Sequence, residues 1–450
     1  MRKKAISFVI CALLIVSFFI VIYTPIVSAT LIVVPDDYFT IQEAIDAANH
    51  GDIVYVRAGN YHENIFINKT ITLQGEDNIT TVIDGGGNGD VININADWVN
   101  VSGFTIKKSG SLTGDAGIQI NSDRCNIYSN MLLDSNYGIY AYYSRYNIIT
   151  NNIISLNYSA WNYKCGIILQ YSNNNIITYN LVINNYYGID IYFYSNNNTV
   201  AYNTVIDNFV GISLIYHSNY NLITDIILSN DIDINLWDRS NNNIIMNNTI
   251  SGRDWGICTG YGSRGNTIYH NNFFNARVDD PSRSRNNWYH PVLLEGNYWS
   301  DYTGEDDGSG TGKHSIAGDG IGDTLIPHPD RYYDYYPLMR PWASIITSFI
   351  DIDPDTLNLK SKGKWITCYI GLPNGYDVND IDISTVILED TLPAKWGDIQ
   401  GDTLMVKFDR SEVEDMLSPG TYNLKVTGEL ADGTSFEGYS DEIRVIDPGK

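Results

Sequence analysis

The chain has little cysteine, little positive charge and no second long apolar run, and each shortage excludes something. Five cysteines occur in 450 residues. Cys11 falls in an apolar leader, which leaves Cys125, Cys165, Cys258 and Cys368, widely scattered and without a Cys-x-x-Cys pair. That excludes a disulfide-stapled scaffold and the common zinc spacings. Lys and Arg total 28 against 52 Asp and Glu, a net charge of -24. Such a surface repels nucleic acid and anionic lipid. After Tyr23 no apolar run is long enough to cross a bilayer, so the mature chain is expected to have no membrane span.

The start of the chain is laid out for export. Arg2, Lys3 and Lys4 precede the apolar stretch Ala5 to Tyr23, and Val27-Ser28-Ala29 supplies small residues for cleavage. Residues 1–29 therefore read as a signal peptide; left uncleaved, the same stretch would be an N-terminal anchor. Either way the protein is expected to be secreted or held at the cell surface. Loss of the leader removes three cations and no acid, taking the charge from -24 to -27. That suits solubility in a salty medium and neutral partners.

What is present is a repeat. Six segments share Gly-Ile-x-h-x followed by Ser and Asn, where h is usually apolar: GIYAYYSRYN, GIILQYSNNN, GIDIYFYSNNN, GISLIYHSNYN, DINLWDRSNNN and GICTGYGSRGN. Each runs into Asn-x-h-x-x-Asn, with Ile226 replacing the second Asn in one copy. From Asn147 to Asn266 the steps are 28, 23, 23, 22 and 23 residues, the long one carrying an insertion around Tyr158 to Lys164. This period is too short for helical pairs and lacks the Leu-x-x-Leu-x-Leu spacing of leucine-rich repeats. It fits one coil of a parallel β-helix with three short strands. Strand alternation turns Ile139/Ala141, Ile167/Leu169, Ile189/Ile191, Ile212/Leu214, Ile234/Leu236 and Ile257/Thr259 inward as two stacked columns. The asparagines, at turn positions that tolerate left-handed backbone, are expected to stack as ladders. Thr40-Ile41-Gln42-Glu43 forms a capping box. Ile41, Ala44, Ile45 and Ala48 follow helical spacing, and Gly51 is placed to end a helix that covers the first coil.

From Leu31 to Trp342 the chain resembles the NosD-like branch of secreted carbohydrate-binding and sugar-hydrolase β-helices. The residues that carry the resemblance are Thr40 to Ile45, Gly51-Asp52, Gly59-Asn60-Tyr61 and Ile71 to Gly75. At the far end they are Gly296-Asn297-Tyr298-Trp299-Ser300-Asp301-Tyr302, Asp319-Gly320-Ile321-Gly322-Asp323 and Tyr335-Tyr336-Pro337-Leu338. The resemblance implies an all-β, right-handed, single-stranded parallel β-helix over residues 30–342, with a cap region at 286–342. By its name alone the family also implies copper. No His-x-His or Met-rich cluster accompanies that name; His314 and His328, which flank an acidic loop, are the pair to test. Over 343–450 the repeat stops, and alternating strands such as WITCYIGL, TLMVKFD and YNLKVTGEL, broken by PNG, SPG and ADG turns, predict an immunoglobulin-like β-sandwich.

Two regions could carry chemistry. The outward positions of the Gly-Ile strand align as Gln119, Tyr140, Ile168, Asp190, Ser213, Asn235, Cys258 and as Asn121, Tyr142, Gln170, Tyr192, Ile215, Trp237, Gly260. Coils about 4.8 Å apart put Tyr142, Tyr192 and Trp237 at roughly 10 Å intervals, near the length of a disaccharide. Rings cover sugar C–H faces while Gln, Asn and Asp bond hydroxyls, so Tyr140, Tyr142, Gln170, Asp190, Tyr192, Asn235 and Trp237 form a candidate site for an extracellular or envelope polysaccharide. The competing explanation is strand preference for tyrosine in a chain with 34 of them. Non-catalytic binding leads; a polysaccharide lyase or hydrolase on the same face is the alternative, and there Asp190 lacks the second carboxylate that glycoside hydrolysis needs. The second region is the Gly-rich acidic loop, where Asp301, Asp306, Asp319 and Asp323 are candidate oxygen ligands of a structural calcium; the EF-hand spacing is missing, and the competing reading is an acidic solvated loop that caps the last coil.

Overall fold

The computed structural model describes residues 29–157, 164–280, 286–325, 327, 334–342, 346–373, 376–431 and 434–447. Residues 1–28 of the expected signal peptide, residues 158–163 of the insertion and His328 lie outside them. Three parallel sheets of eleven, ten and eleven strands run the length of the repeat, because each coil adds one strand to each sheet. The expected inward columns stack in register: Ile139, Ile167, Ile189, Ile212, Ile234 and Ile257 are successive partners, as are Ala141, Leu169, Ile191, Leu214, Leu236 and Thr259. All are buried. Thr259 ends its column by donating to Asp280 at 2.7 Å.

The glycine of the Gly-Ile motif is a steric requirement. A Cβ on Gly188 would lie 2.5 Å from the Gly211 carbonyl oxygen and 2.8 Å from a Val205 methyl; on Gly166 it would meet the Gly188 oxygen at 2.6 Å. The coil beginning at Ile232 departs from this, with Asp233 at the glycine position. Its carboxylate accepts the Asn230 and Ser251 N–H groups and ends an asparagine ladder.

That ladder, Asn185–Asn208–Asn230, joins two that the sequence pattern marks. In the longest, each backbone N–H from Asn147 to Asn266 donates to the side-chain oxygen one coil on, through Asn175, Asn198, Asn221 and Asn243 to Asn286. These amides are buried. The left-handed residue is not the ladder asparagine, as expected, but the one before it: Tyr146, Asn174, Asn197, Tyr220 and Asn242 all have φ between 55° and 59°. The ladder side chain needs extended backbone to point inward, so its neighbour makes the corner.

The first coil is covered by helix Ile41–Ala47, with the Thr40/Glu43 capping box formed and Ile41, Ala44 and Ile45 buried. The helix stops sooner than Gly51 suggested. Ala48 is its cap, and Lys69 reaches the Ile45, Asp46 and Ala48 carbonyls at 3.1, 2.6 and 2.8 Å. A cation on the last carbonyls satisfies them and opposes the helix dipole. Gly51, at φ 92°, serves the next turn instead. At the other end Trp299 stacks on Phe273 at 4.1 Å and donates to Asp334, which also accepts the Asn297 N–H.

Beyond Trp342 the described strands form five-, four- and three-stranded sheets, mostly antiparallel, around their own core, in which Cys368, Val386, Val406, Phe408, Val426 and Phe436 are buried. Strand alternation did not anticipate the short helix Arg410–Met416, capped by Asp409. Cys125, Cys165, Cys258 and Cys368 are free and buried.

A candidate glycan-binding groove

The outer face of the ten-stranded sheet carries three columns, one more than alternation predicts. Asp190 pairs in register with Ile168 and Ser213, and the column continues through Asn235 and Cys258 to Asp279. Tyr142, Gln170, Tyr192 and Ile215 align on one side, with Trp237 next in order, its N–H donating to the Leu214 carbonyl. The additional column is Tyr137, Cys165, Tyr187, Val210, Ile232 and Trp255. Period-2 counting turns these residues inward. The motif glycine takes the inward place, so the residue before it stays outside. The recurrent apolar residue before Gly-Ile was the available signal.

Over the later coils the outer columns wall a groove of about 700 Å³. Tyr187 and Trp255 stand on one side, Tyr192, Trp237 and Tyr261 on the other, and Asn235, Cys258 and Asp279 lie between. The structure thus gathers Tyr192, Asn235 and Trp237 of the candidate set at one opening. Trp237 is 37% exposed.

The remaining candidates are more covered than an outward assignment implies. Tyr140 is buried and donates to Gln170 Oε1 at 2.6 Å. Tyr137, Tyr142, Tyr187 and Tyr192 pack around a second small apolar cluster of Ala116, Tyr140, Cys165 and Ile168. Desolvation within it pushes the Tyr137 hydroxyl up to about 12 and the Tyr140 hydroxyl higher still. Asp190 is only 6% exposed. Burial pushes its carboxyl up to about 7, with the nearby Ser213 hydroxyl pulling the other way. The expectation that these side chains all face water is corrected: a flat sheet face crowded with tyrosines covers its own centre.

Ring orientation separates scaffold from platform. Tyr143 and Tyr171 stack at 4.7 Å and 9°, Tyr171 and Phe193 at 5.6 Å and 17°, Phe193 and Tyr216 at 4.6 Å and 9°. Rings stacked coil on coil have their faces occupied by each other. Tyr142 and Tyr192 lie across this ladder, at 72–79° to its rings. Their planes therefore run along the helix axis.

The acidic loop is braced from within. Asp306 accepts the Gly318 and Gly320 N–H groups at 2.6 and 2.9 Å, Asp323 accepts Gly308 at 2.6 Å, and Asp319 accepts Ile321 at 3.0 Å. Asp301 is exposed. His314 stacks on Tyr336 and lies 3.6 Å from Asp323. Among the described residues no three His, Cys, Asp or Glu groups converge to hold a metal ion, and none of their helices is long and apolar enough to cross a membrane.

The family model for a right handed beta helix region matches residues 81–250, and that for the periplasmic copper-binding protein (NosD) matches 234–304. No curated protein matches the chain. Among solved structures, a Family 28 exopolygalacturonase from Yersinia enterocolitica is 12% identical over 60% of this chain and 70% of its own, with a TM-score of 0.49. A DFA-IIIase from Arthrobacter chlorophenolicus A6 is 13% identical over 57% and 81%, at 0.45. The mannuronan C-5 epimerase A-module from Azotobacter vinelandii is 12% identical over 57% and 92%, at 0.41. Likeness at this level concerns the solenoid alone. With the repeat, the register and the two family models together, the strands before Trp342 form a right-handed parallel β-helix whose last coils and cap are similar to NosD.

Proposed function

We propose that the protein is an exported, non-catalytic β-helix that holds a polysaccharide chain in the groove between Tyr187/Trp255 and Tyr192/Trp237. The supporting observation is the groove itself: aromatic walls on both sides of an amide-bearing floor, running along the stacked coils. Rings bury sugar C–H faces and Asn235 bonds hydroxyls, the combination that carbohydrate sites use. Tyr142 and Gln170 extend the same column beyond the groove and would meet a longer chain.

Binding is preferred to hydrolysis at Asp190 because its own column holds no second carboxylate within reach. Two carboxylates of a glycosidase stand about 5 to 9.5 Å apart. The next carboxylate in the Asp190 column is Asp279, four coils away, or roughly 19 Å.

Titration calorimetry with oligosaccharides tests the reading. Replacing Tyr192, Trp237 and Trp255 together by alanine removes three stacking rings at about 1 kcal/mol each, so affinity should fall about 100-fold. A triple variant that stays folded and binds like the parent would refute the groove, and release of shortened sugars by the parent would replace binding with catalysis.

A further inference from the structure

Nearly every buried polar group of this solenoid is satisfied by a neighbour one coil away, which makes the exceptions informative. Among the described residues, five buried side-chain atoms have no hydrogen-bond partner, and two of them, Asp190 Oδ1 and Ser213 Oγ, belong to residues adjacent in one column. Asp190 is 94% buried and Ser213 fully so, from exposures of 6% and 0%. Two other carboxyls are equally buried and equally pushed up to about 7, but both are supplied with donors: Asp233 by Asn230 and Ser251, Asp334 by Trp299, Asn297 and Tyr336. Asp190 has no comparable set. An unsatisfied buried polar group costs about 1–3 kcal/mol, so a native fold that keeps two side by side invites a reason.

Their position supplies one. Tyr187 and Tyr192 flank Asp190 on its own strand, and Val210 and Ile215 flank Ser213 on the next; all four line the end of the groove. We propose that Asp190 and Ser213 form a hydrogen-bonding subsite, closed over by Tyr187 and Tyr192, that receives one hydroxyl of an uncharged sugar residue. One coil separates the two residues, about 4.8 Å, so a hydroxyl placed between them can donate to Asp190 Oδ1 while accepting from Ser213 Oγ. The sugar is uncharged because the charged groups among the described groove-lining residues are Asp238 and Asp279, both anionic, with no Lys, Arg or His to pair a uronate or sulfate. This rests on the glycan-binding reading.

The test uses the full-length chain, calorimetry, and hexasaccharides of β-1,4-glucan, β-1,4-mannan, α-1,4-glucan and α-1,4-galacturonate. Ser213→Ala and, separately, Asp190→Ala should each weaken binding of the preferred neutral hexasaccharide about tenfold, the effect of one lost hydrogen bond. Ser213→Ala should leave the melting temperature close to that of the parent, because Ser213 Oγ makes no well-formed bond to the scaffold beyond its contact with the Asp190 carboxyl. Parent-like affinity in both variants, with binding still lost in the Tyr192/Trp237/Trp255 triple variant, overturns the subsite and leaves the groove. Preference for the galacturonate overturns the uncharged ligand. A parent that binds none of the four overturns the groove reading and the subsite with it.

Discussion

Replacing Asn198 by alanine should be among the most damaging single changes to the solenoid, although it removes no apolar surface. Asn198 is 1% exposed and its amide makes four bonds. Its oxygen accepts the Asn175 backbone N–H at 2.8 Å and the Asn175 side-chain amide at 3.2 Å. Its nitrogen donates to the Ser172 carbonyl at 3.0 Å and to Asn221 Oδ1 at 3.1 Å. Asn221 Oδ1 keeps a partner, since the Asn198 backbone N–H still reaches it at 2.8 Å. The Asn175 side chain keeps its bond to the Ser144 carbonyl. The Asn175 backbone N–H and the second amide hydrogen of Asn175 lose their acceptor inside the fold. At about 1–3 kcal/mol for each stranded donor, the cost is about 4 kcal/mol. Asn196→Ala is the control. Asn196 is half-buried, and the groups it serves, the Asn219 N–H and the Tyr194 carbonyl, can turn to water, so its loss should cost under about 1 kcal/mol. Urea unfolding followed by circular dichroism, with amide exchange in the flanking coils to detect local opening, separates the two. If Asn198→Ala costs no more than Asn196→Ala, the inner amides are not what holds the coils together.

Ile191→Asp should cost more than about 4 kcal/mol by placing a charge in the inward column, whereas Tyr192→Ala on the groove wall should cost about 1–2 kcal/mol through lost contact with Phe193 and Tyr216; equal midpoints in urea would show the strand phase to be reversed. Asp190 is raised from 3.8 to about 7 in the folded state, while Cys165, Tyr137 and Tyr192 around it are held neutral, so the fold keeps a proton that the unfolded chain releases between about pH 4 and 7. Its share of stability is full below about pH 4 and is lost as pH rises through 7, a change on the order of 4 kcal/mol. Asp190→Asn should therefore flatten the fall in melting temperature between pH 5 and 8.5, and an unchanged pH profile would place the Asp190 pKa near its ordinary value.

The solenoid was legible because its inner face repeats. Ile189 and Ile191 are read correctly from alternation, as are their partners in every coil, since a core one side chain wide leaves no choice of direction. The Asn147 and Asn152 ladders follow from fixed spacing. The Asn185 ladder was missed because its last member hands over to Asp233, which breaks the pattern in the letters while preserving the hydrogen bond. The outer face was less legible. Tyr187 and Trp255 were left out of the outward columns because the motif glycine interrupts the period of two, a distortion whose trace in the letters is the recurrent apolar residue before Gly-Ile. Burial of Asp190 was invisible for a different reason: an outward side chain is exposed only if its neighbours do not close over it, and lateral packing between coils leaves no trace in periodicity.

The same competition decides where a ligand can bind. Stacking along a solenoid consumes whatever is identical from coil to coil. Inward isoleucines pack on isoleucines, amides bond amides, and the Tyr143–Tyr171–Phe193–Tyr216 rings occupy each other's faces. A side chain becomes available to another molecule only where its neighbours along the column differ from it. The outer column meets that condition between Ile168 and Asp279, where Asp190, Ser213, Asn235 and Cys258 follow one another without a repeated residue type. Tyr192 meets it between Gln170 and Ile215, and Trp237 in turn follows Ile215. The groove lies over this heterogeneous stretch, and the most regular aromatic ladder lies beside it. The abundance of tyrosine therefore says little about binding by itself; the informative residues are those in a column that cannot pair with their own kind.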